Sequence, residues 1–325
     1  MEKRYDVTAL GELLIDFTMN GQSGQGNDLF EACPGGAPCN VLAMLNKLGR
    51  RTAFIGKVGA DRFGKLLRDT IADAGIETKG LVSDKEIGTT LAFVHTFPDG
   101  DREFSFYRNP GADNMLAEEE VDYELIRSSK VFHFGTLSMT GEPVRTATKK
   151  ALAAARESGC LITFDPNLRE PLWKSLEDAK AAMEYGFGYC DMLKISDNEI
   201  RFISGKEDYD EGIRCLQEKY HIPVIFLTMG KEGSRAYYKD LRVEKRGFAV
   251  KAVETTGAGD TFCGCVIDGL LKYGVEGLDQ EKLERILTYA NAAAAMITLK
   301  KGAIRSMPEP SHIEEMIKTE SGSVS

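Results

Sequence analysis

Apolar positions follow two periods that take turns along the chain. Residues 5–10 (YDVTAL) form a short apolar run that stops at Gly11, and residues 13–17 continue it around a single acid, Asp16. Val41, Leu42, Leu45 and Leu48 then recur at helical spacing until Gly49. The pair repeats: residues 53–58 read as a strand and 63–74 as a helix closed by Gly75, then 131–134 as a strand and 142–158 as a helix closed by Gly159. Further short strands are predicted at 161–164, 191–195 and 223–228, and further helices through Ile203 to Gly205, over 262–274 and over 283–299. From residue 309 the pattern predicts a short helix and then a polar tail, 313–325.

Alternation of this kind predicts an α/β fold, in which polar residues gathered at strand ends are where ligands sit. One segment interrupts it. Residues 89–97 and 102–107 alternate in strand fashion around Pro98-Asp99-Gly100, a hairpin signal. The hairpin is either a flap over a site or an edge extension, and Arg108 beyond it is a candidate anion or hydroxyl ligand under the flap reading. The Gly/Gln/Asn-rich residues 20–27 predict a second hairpin tip or a flexible loop.

Composition narrows the class. With 325 residues and 42% hydrophobic content, the chain can bury a large core in two domains or in one large α/β unit. A formal charge of −9 disfavours nucleic acid or an anionic membrane surface as partner. No apolar run approaches the roughly 18 residues that a membrane-spanning helix needs. The 7 cysteines have no disulfide or zinc spacing, and the 4 histidines lie far apart. This usage, without a secretory apolar segment, predicts a reducing compartment, by default the cytoplasm.

The chemistry-bearing stretch is residues 253–262, Val-Glu-Thr-Thr-Gly-Ala-Gly-Asp-Thr-Phe, which opens a helical run. Gly257 and Gly259 bracket Ala258 and precede Asp260. Free N–H groups at a helix start stabilise an anion, small residues admit a phosphate to the backbone, and Asp260 can accept a proton. A plain glycine turn with an N-terminal acid is the alternative. The stretch matches neither the dinucleotide fingerprint nor the Walker A loop. A second glycine-rich loop enters a helix at 33–40, where Gly35 and Gly36 expose backbone donors and Asn40 offers both a donor and an acceptor. Asp16 at the end of the first strands is a site carboxylate or an exposed loop acid. Residues 229–233 (MGKEG) either cradle phosphate or turn the chain. The alanine-rich 290–295, broken by Asn291, implies close approach by a neighbour or a flat ligand.

Taken in order, these motifs resemble the ribokinase-like carbohydrate kinases, the PfkB family, and within it the fructokinases. The resemblance rests on residues 34–40 (PGGAPCN), 254–262 and 165–169 (DPNLR) with Leu172-Trp173, and on 106–108 (FYR) before Ala112-Asp113. It implies one doubly wound α/β domain over 1–325, with a small β lid from segments near 12–33 and 89–111 and dimerisation through the lid as an option. It also implies transfer of the ATP γ-phosphate to a sugar hydroxyl, with Asp260 as base and the backbone donors of Gly257, Ala258 and Gly259 holding the developing charge.

Asp16, Gly35, Gly36 and Asn40 match sugar-binding positions, joined by Asn167, Arg169 and Arg108. Thr228, Gly230 and Gly233 match the phosphate-side loop, Asn291 lies where adenine is expected, and Lys194 adds positive charge near the phosphates. The family's Asn-x-x-Glu element becomes Ser196-Asp197-Asn198-Glu199, with Glu199 expected to order water on a nucleotide-held Mg²⁺. Glu254 replaces the usual Asp where relatives bind a potassium-like ion; the matching positions here are Thr256, Ile297, Lys300, Gly302 and Ser306. Fructose to fructose 6-phosphate is the leading expectation. The alternatives are 2-keto-3-deoxygluconate kinase, ribokinase, aminoimidazole-riboside kinase and a non-catalytic sugar or nucleotide sensor.

Overall fold

The structure, a computed structural model, describes residues 3–96 and 102–322. The expected hairpin turn at Pro98-Asp99-Gly100 lies outside the described residues. The first half of the chain contains β1 (Tyr5–Leu10), β2 (Leu14–Gln22), β3 (Asp28–Gly35), α1 (Ala37–Lys47), β4 (Thr52–Gly59), α2 (Arg62–Asp73), β5 (Glu77–Asp84), β6 (Leu91–Thr96), β7 (Arg102–Tyr107), α3 (Tyr123–Arg127), β8 (Ser129–Phe134) and α4 (Val144–Glu157). The second half contains β9 (Leu161–Phe164), α5 (Leu176–Phe187), β10 (Met192–Ser196), α6 (Asp197–Ser204), α7 (Tyr209–Tyr220), β11 (Val224–Thr228), β12 (Ser234–Tyr238), β13 (Leu241–Lys245), α8 (Ala258–Tyr273), α9 (Gln280–Ile297) and α10 (Pro310–Gly322).

Successive side chains of a strand point to opposite faces, and the apolar runs use both. Met192 and Phe226 pack on one face of the main sheet with α1, α2, α8, α9 and α10. Leu193, Ile195, Ile225 and Leu227 pack on the other face with α3 to α7. Each fully buried large side chain contributes about 1.5–3 kcal/mol, so this two-sided burial is what holds the sheet between its helix layers. Phe134 and Phe164 stack across neighbouring strands with ring centroids 4.5 Å apart.

The main sheet has nine strands in the order β13-β12-β11-β10-β9-β8-β1-β4-β5, parallel from β11 to β5, with β12 and β13 antiparallel. From β1 the chain moves to β4 and β5 on one side, then returns to β8 and continues outward on the other. Strand order therefore reverses between β1 and β8, the place in an open α/β sheet where the connections diverge and leave a crevice. Gly11-Glu12 and Gly135 leave the sheet there.

A second sheet of four strands, β3-β2-β6-β7, stands apart. Its strands fall within or close to the two segments expected to form a lid. Aromatic contacts fasten it: Phe17 stacks on Phe93 at 4.8 Å and meets Phe63 of α2 edge-on at 5.6 Å. Asp61 caps α2 by accepting from Gly64 N (2.7 Å), and it also accepts from Thr89 N and Oγ1, both at 2.8 Å, pinning the entry to β6.

Some elements depart from the sequence pattern. Helix α10 continues to Gly322 and buries Ile313 completely, so residues 313–322 are a packed helix rather than a tail. Strands β5, β12 and β13 and helices α5 and α7 also add to the predicted set.

Candidate active site

A cavity of about 710 Å³ lies between the ends of the main-sheet strands, the small sheet, and the N-termini of α1 and α8. Alternation on β2 points Leu14, Asp16 and Thr18 into it, joined by Val94 and Phe106 from β6 and β7. Gly36 and Asn40 enter from α1, and Asn167 and Arg169 from the loop after β9. At the opposite end are Thr228, Gly230, Gly233 and Asn291, with Lys194, Ser196 and Glu199 between. Gly257, Ala258, Gly259 and Asp260 line the same cavity, with Asp260 beside Asn40 and Gly259 beside Lys194.

Helix α8 starts without a side-chain cap, because Gly257 takes a left-handed φ of 80° at its N-cap. Ala258 N is used in a turn to Thr255 O at 3.3 Å. Among the described residues, the N–H groups of Gly257, Gly259 and Asp260 have no backbone acceptor and are available to an anion. Asp260 is buried, 9% exposed, and Asn40 Nδ2 donates to its Oδ2 at 2.7 Å. Asn40 Oδ1 is buried without a partner. Burial raises the Asp260 carboxyl above its ordinary range, while the Asn40 hydrogen bond and the charges of Lys194 and Arg169 restrain the rise.

Lys194 brings positive charge to this point. A Cβ on Gly259 would stand 3.1 Å from its Nζ, so the ammonium lies against the glycine loop. Its partner is the buried Asp165, with Nζ 3.1 Å from Oδ1 and 3.0 Å from Oδ2. Burial alone would lower the Lys194 ammonium, but Asp165 and Glu199 outweigh it and keep the group charged.

At the lid end two acids share the wall. Burial pushes Asp16 up to about 7, against the charge of Arg169. Its carboxylate packs on Gly35, where a Cβ would sit 2.9 Å from Oδ2. Glu12 was not singled out from the sequence, where it reads as a loop acid beside Gly11. It is 4% exposed, lines the cavity and accepts from Ala37 N at 2.8 Å, capping α1 from a distance. Gly36, at φ 142°, packs so closely on the Glu12 carbonyl that no Cβ would fit.

Several expected ligands are engaged elsewhere. Arg108 does not reach the cavity: Nε donates to Asp113 Oδ2 (2.8 Å), Nη1 to Thr140 Oγ1 (2.8 Å) and Nη2 to Leu137 O (3.0 Å), with the side chain 3% exposed. Asn291 lines the cavity, but Oδ1 accepts from Ser234 Oγ at 2.8 Å and Nδ2 donates to the carbonyls of Lys245 and Arg246, both at 3.2 Å. It fastens α9 to the end of β13.

Glu199 Oε1 accepts from Leu168 N at 2.7 Å, while Oε2 accepts from Ser196 N and Oγ, both at 2.8 Å. Ser196 in turn caps α6. A carboxylate has about four acceptor positions, so Glu199, with three donors, retains about one. Among the described residues, no group of three or more His, Cys, Asp or Glu could hold a metal ion.

The residues matched to a monovalent cation lie behind α8. Glu254 Oε1 accepts from Thr256 Oγ1 at 2.7 Å and Oε2 from Gly302 N at 3.0 Å, while Val253 N and Glu254 N donate to Thr298 O. Ile297 O accepts from Lys300 N at 3.2 Å, and Ser306 Oγ donates to Lys301 O at 2.6 Å. The Glu254 side chain thus bridges the two segments directly. A hydroxyl and an N–H use two of the carboxylate's roughly four acceptor positions.

Comparison with known proteins identifies the family and the fold. Residues 5–310 match the pfkB family carbohydrate kinase family. The chain is 41% identical over 304 residues to probable fructokinase-2 of Arabidopsis thaliana, covering 93% of this chain and 92% of that protein. A crystal structure of fructokinase with bound ATP from Xylella fastidiosa superposes with a TM-score of 0.89 at 28% identity, covering 99% of this chain and 100% of that one. A double-mutant fructokinase from Vibrio cholerae O395, bound to fructose, ADP and potassium ion, superposes with a TM-score of 0.86 at 28% identity, covering 98% and 99%. With the family matched over residues 5–310, the ribokinase-like main sheet and separate small sheet in place, and a buried acid at an open helix start lining the cavity, this chain belongs to the pfkB family of carbohydrate kinases.

Proposed function

We propose that this protein transfers the γ-phosphate of ATP to a hydroxyl of fructose, giving fructose 6-phosphate and ADP, with Asp260 as the general base. The observation that carries the reading is Asp260 itself, buried at the uncapped start of α8, oriented by Asn40 and lining one cavity with Asp16, Lys194 and Thr228.

The sugar lies against Asp16, Gly36, Asn40, Asn167 and Arg169, with Gly35 shaping the pocket behind Asp16. The attacking hydroxyl gives its proton to the Asp260 carboxylate as its oxygen bonds to the γ-phosphorus. The bond from that phosphorus to the bridging oxygen breaks, and ADP leaves. The N–H groups of Gly257 and Gly259 with the Lys194 ammonium hold the charge on the transferred group, so positioning and electrostatics supply most of the acceleration. Thr228, Gly230 and Gly233 cradle the remaining phosphates, and Asn291 shapes the adenine end by holding the β13 segment. A Mg²⁺ held by the nucleotide, with Glu199 beside it, would neutralise phosphate charge when bound. Behind α8, Glu254, Thr256, Gly302 and the carbonyl of Ile297 are the groups that would surround a monovalent cation. The lid closes over the sugar and excludes water that would otherwise take the phosphoryl group.

The lid end favours a neutral acceptor. Asp16 and Glu12 present carboxyl groups there, and Arg108 is engaged with Asp113, so the carboxylate of a sugar acid would meet two acids and only Arg169. No helix among the described residues is long and apolar enough to cross a membrane, and we read the enzyme as cytoplasmic. ADP release measured with fructose, ribose, 2-keto-3-deoxygluconate and aminoimidazole riboside, each with ATP and Mg²⁺, decides the acceptor. Fructose should give the highest kcat/KM; a higher value for the sugar acid, or no turnover with any sugar, overturns the assignment.

A further inference from the structure

The loop after β9 carries Asn167 and Arg169 into the cavity, yet it has no regular structure of its own. Asn167 takes a left-handed φ of 47°, which asparagine tolerates better than other side-chain-bearing residues but which the flanking hydrogen bonds fix in place. Those bonds form two sets. On one side, Thr136 N and Oγ1 donate to Pro166 O at 3.1 and 2.6 Å. On the other, Leu168 N donates to Glu199 Oε1 at 2.7 Å, and Glu199 is held through Oε2 by Ser196 N and Oγ, both at 2.8 Å. Glu199 is 7% exposed, so water does not readily replace these donors.

We infer that Glu199 is a positioning residue for the sugar side of the site: its carboxylate latches the 165–169 loop to the N-terminus of α6 and holds Asn167 and Arg169 in binding geometry before nucleotide or metal arrives. The identity of the sugar rests on the function proposed above; the latch does not. Three donors converge on one carboxylate, which accepts at both ends. Glutamine has the same shape but one acceptor end, so Glu199→Gln must present an NH₂ group either to Leu168 N–H or to the Ser196 donors, and one side of the latch opens. Ser196→Ala removes only the hydroxyl contribution and should give a smaller effect in the same direction.

Two measurements test this without metal or nucleotide. Hydrogen exchange in the ligand-free protein should show the 165–169 segment exchanging about tenfold faster in Glu199→Gln, the scale of one lost hydrogen bond, with β8 and β11 unchanged. The chain has 1 tryptophan, Trp173, buried a few residues beyond the loop, so its fluorescence reports the loop during a fructose titration. The fructose Kd should rise about tenfold in Glu199→Gln and less in Ser196→Ala; in a separate assay with ATP and Mg²⁺, KM should rise by more than kcat falls. Unchanged exchange of 165–169 in Glu199→Gln overturns the latch. So does a wild-type fructose Kd in that variant with the defect confined to Mg²⁺ activation. If the wild-type protein itself binds no fructose, the sugar assignment fails and the exchange result still decides the latch.

Discussion

Glu12→Gln should stabilise the ligand-free protein at alkaline pH and leave it unaffected in acid. Burial is the largest influence on Glu12; it outweighs the hydrogen bonds from its own N–H and from Ala37 N and, with Asp113 opposing Arg108, brings the carboxyl up from 4.5 to about 7. A folded-state value above the unfolded one means that the native protein binds this proton more tightly. Stability from this group is therefore whole below about pH 4.5 and is lost as the pH rises through about 7. At 1.36 kcal/mol per unit, that rise corresponds to about 3 kcal/mol. Glutamine keeps an acceptor for Ala37 N and never ionises. For a chain of 325 residues the difference is worth about 5 °C in Tm. The assay is thermal or urea unfolding of both proteins at intervals from about pH 4 to 8. The Gln variant should gain on wild type steadily across that window. A difference independent of pH, or one that grows toward acid, refutes the reasoning.

Two further substitutions separate structural from functional charge. Arg108→Met should destabilise the fold by about 3–5 kcal/mol in urea titrations, because it strands the buried Asp113, and Asp113→Leu added to it should restore part of the loss. A stable Arg108→Met that instead loses fructose affinity would make Arg108 a sugar ligand after all. Lys194→Met should lower kcat by about 10²-fold or more through lost charge stabilisation. Since Lys194 also restrains the rise of Asp260, and the base must be ionised, the acidic limb of the kcat/KM profile should move to higher pH. An unmoved limb would separate Lys194 from the base.

The sequence made local features legible and left long-range partnerships hidden. Gly257, Gly259 and Asp260 before an apolar helical period declare a helix start by themselves, as do Gly35, Gly36 and Asn40 before α1. Alternation over β6 and β7 likewise marks a hairpin outside the βα rhythm, while its pairing with β2 and β3 into one small sheet depends on the fold. Glu12 was invisible because its role depends on Ala37, a residue 25 positions away that only the fold brings near. Arg108 and Asn291 show the converse. Their side chains advertise ligand chemistry, but Asp113, Ser234 and the β13 carbonyls use that capacity internally. Helix α7 was missed because only Gly212, Ile213 and Leu216 are buried on it, too few to impose a visible period. The exchange of Asn for Ser at 196 signalled a change without revealing its consequence, the closed hydrogen-bond set around Glu199.

The central claim is that Asp260 takes the sugar proton, and Asp260→Asn tests it most directly. The substitution keeps the shape and an acceptor for Asn40 Nδ2 while removing the basic carboxylate. Measured with fructose, ATP and Mg²⁺, kcat should fall by about 10²–10⁴-fold, while the fructose Kd from Trp173 fluorescence stays within about threefold of wild type. Turnover within about tenfold of wild type would contradict the account and remove Asp260 as the base.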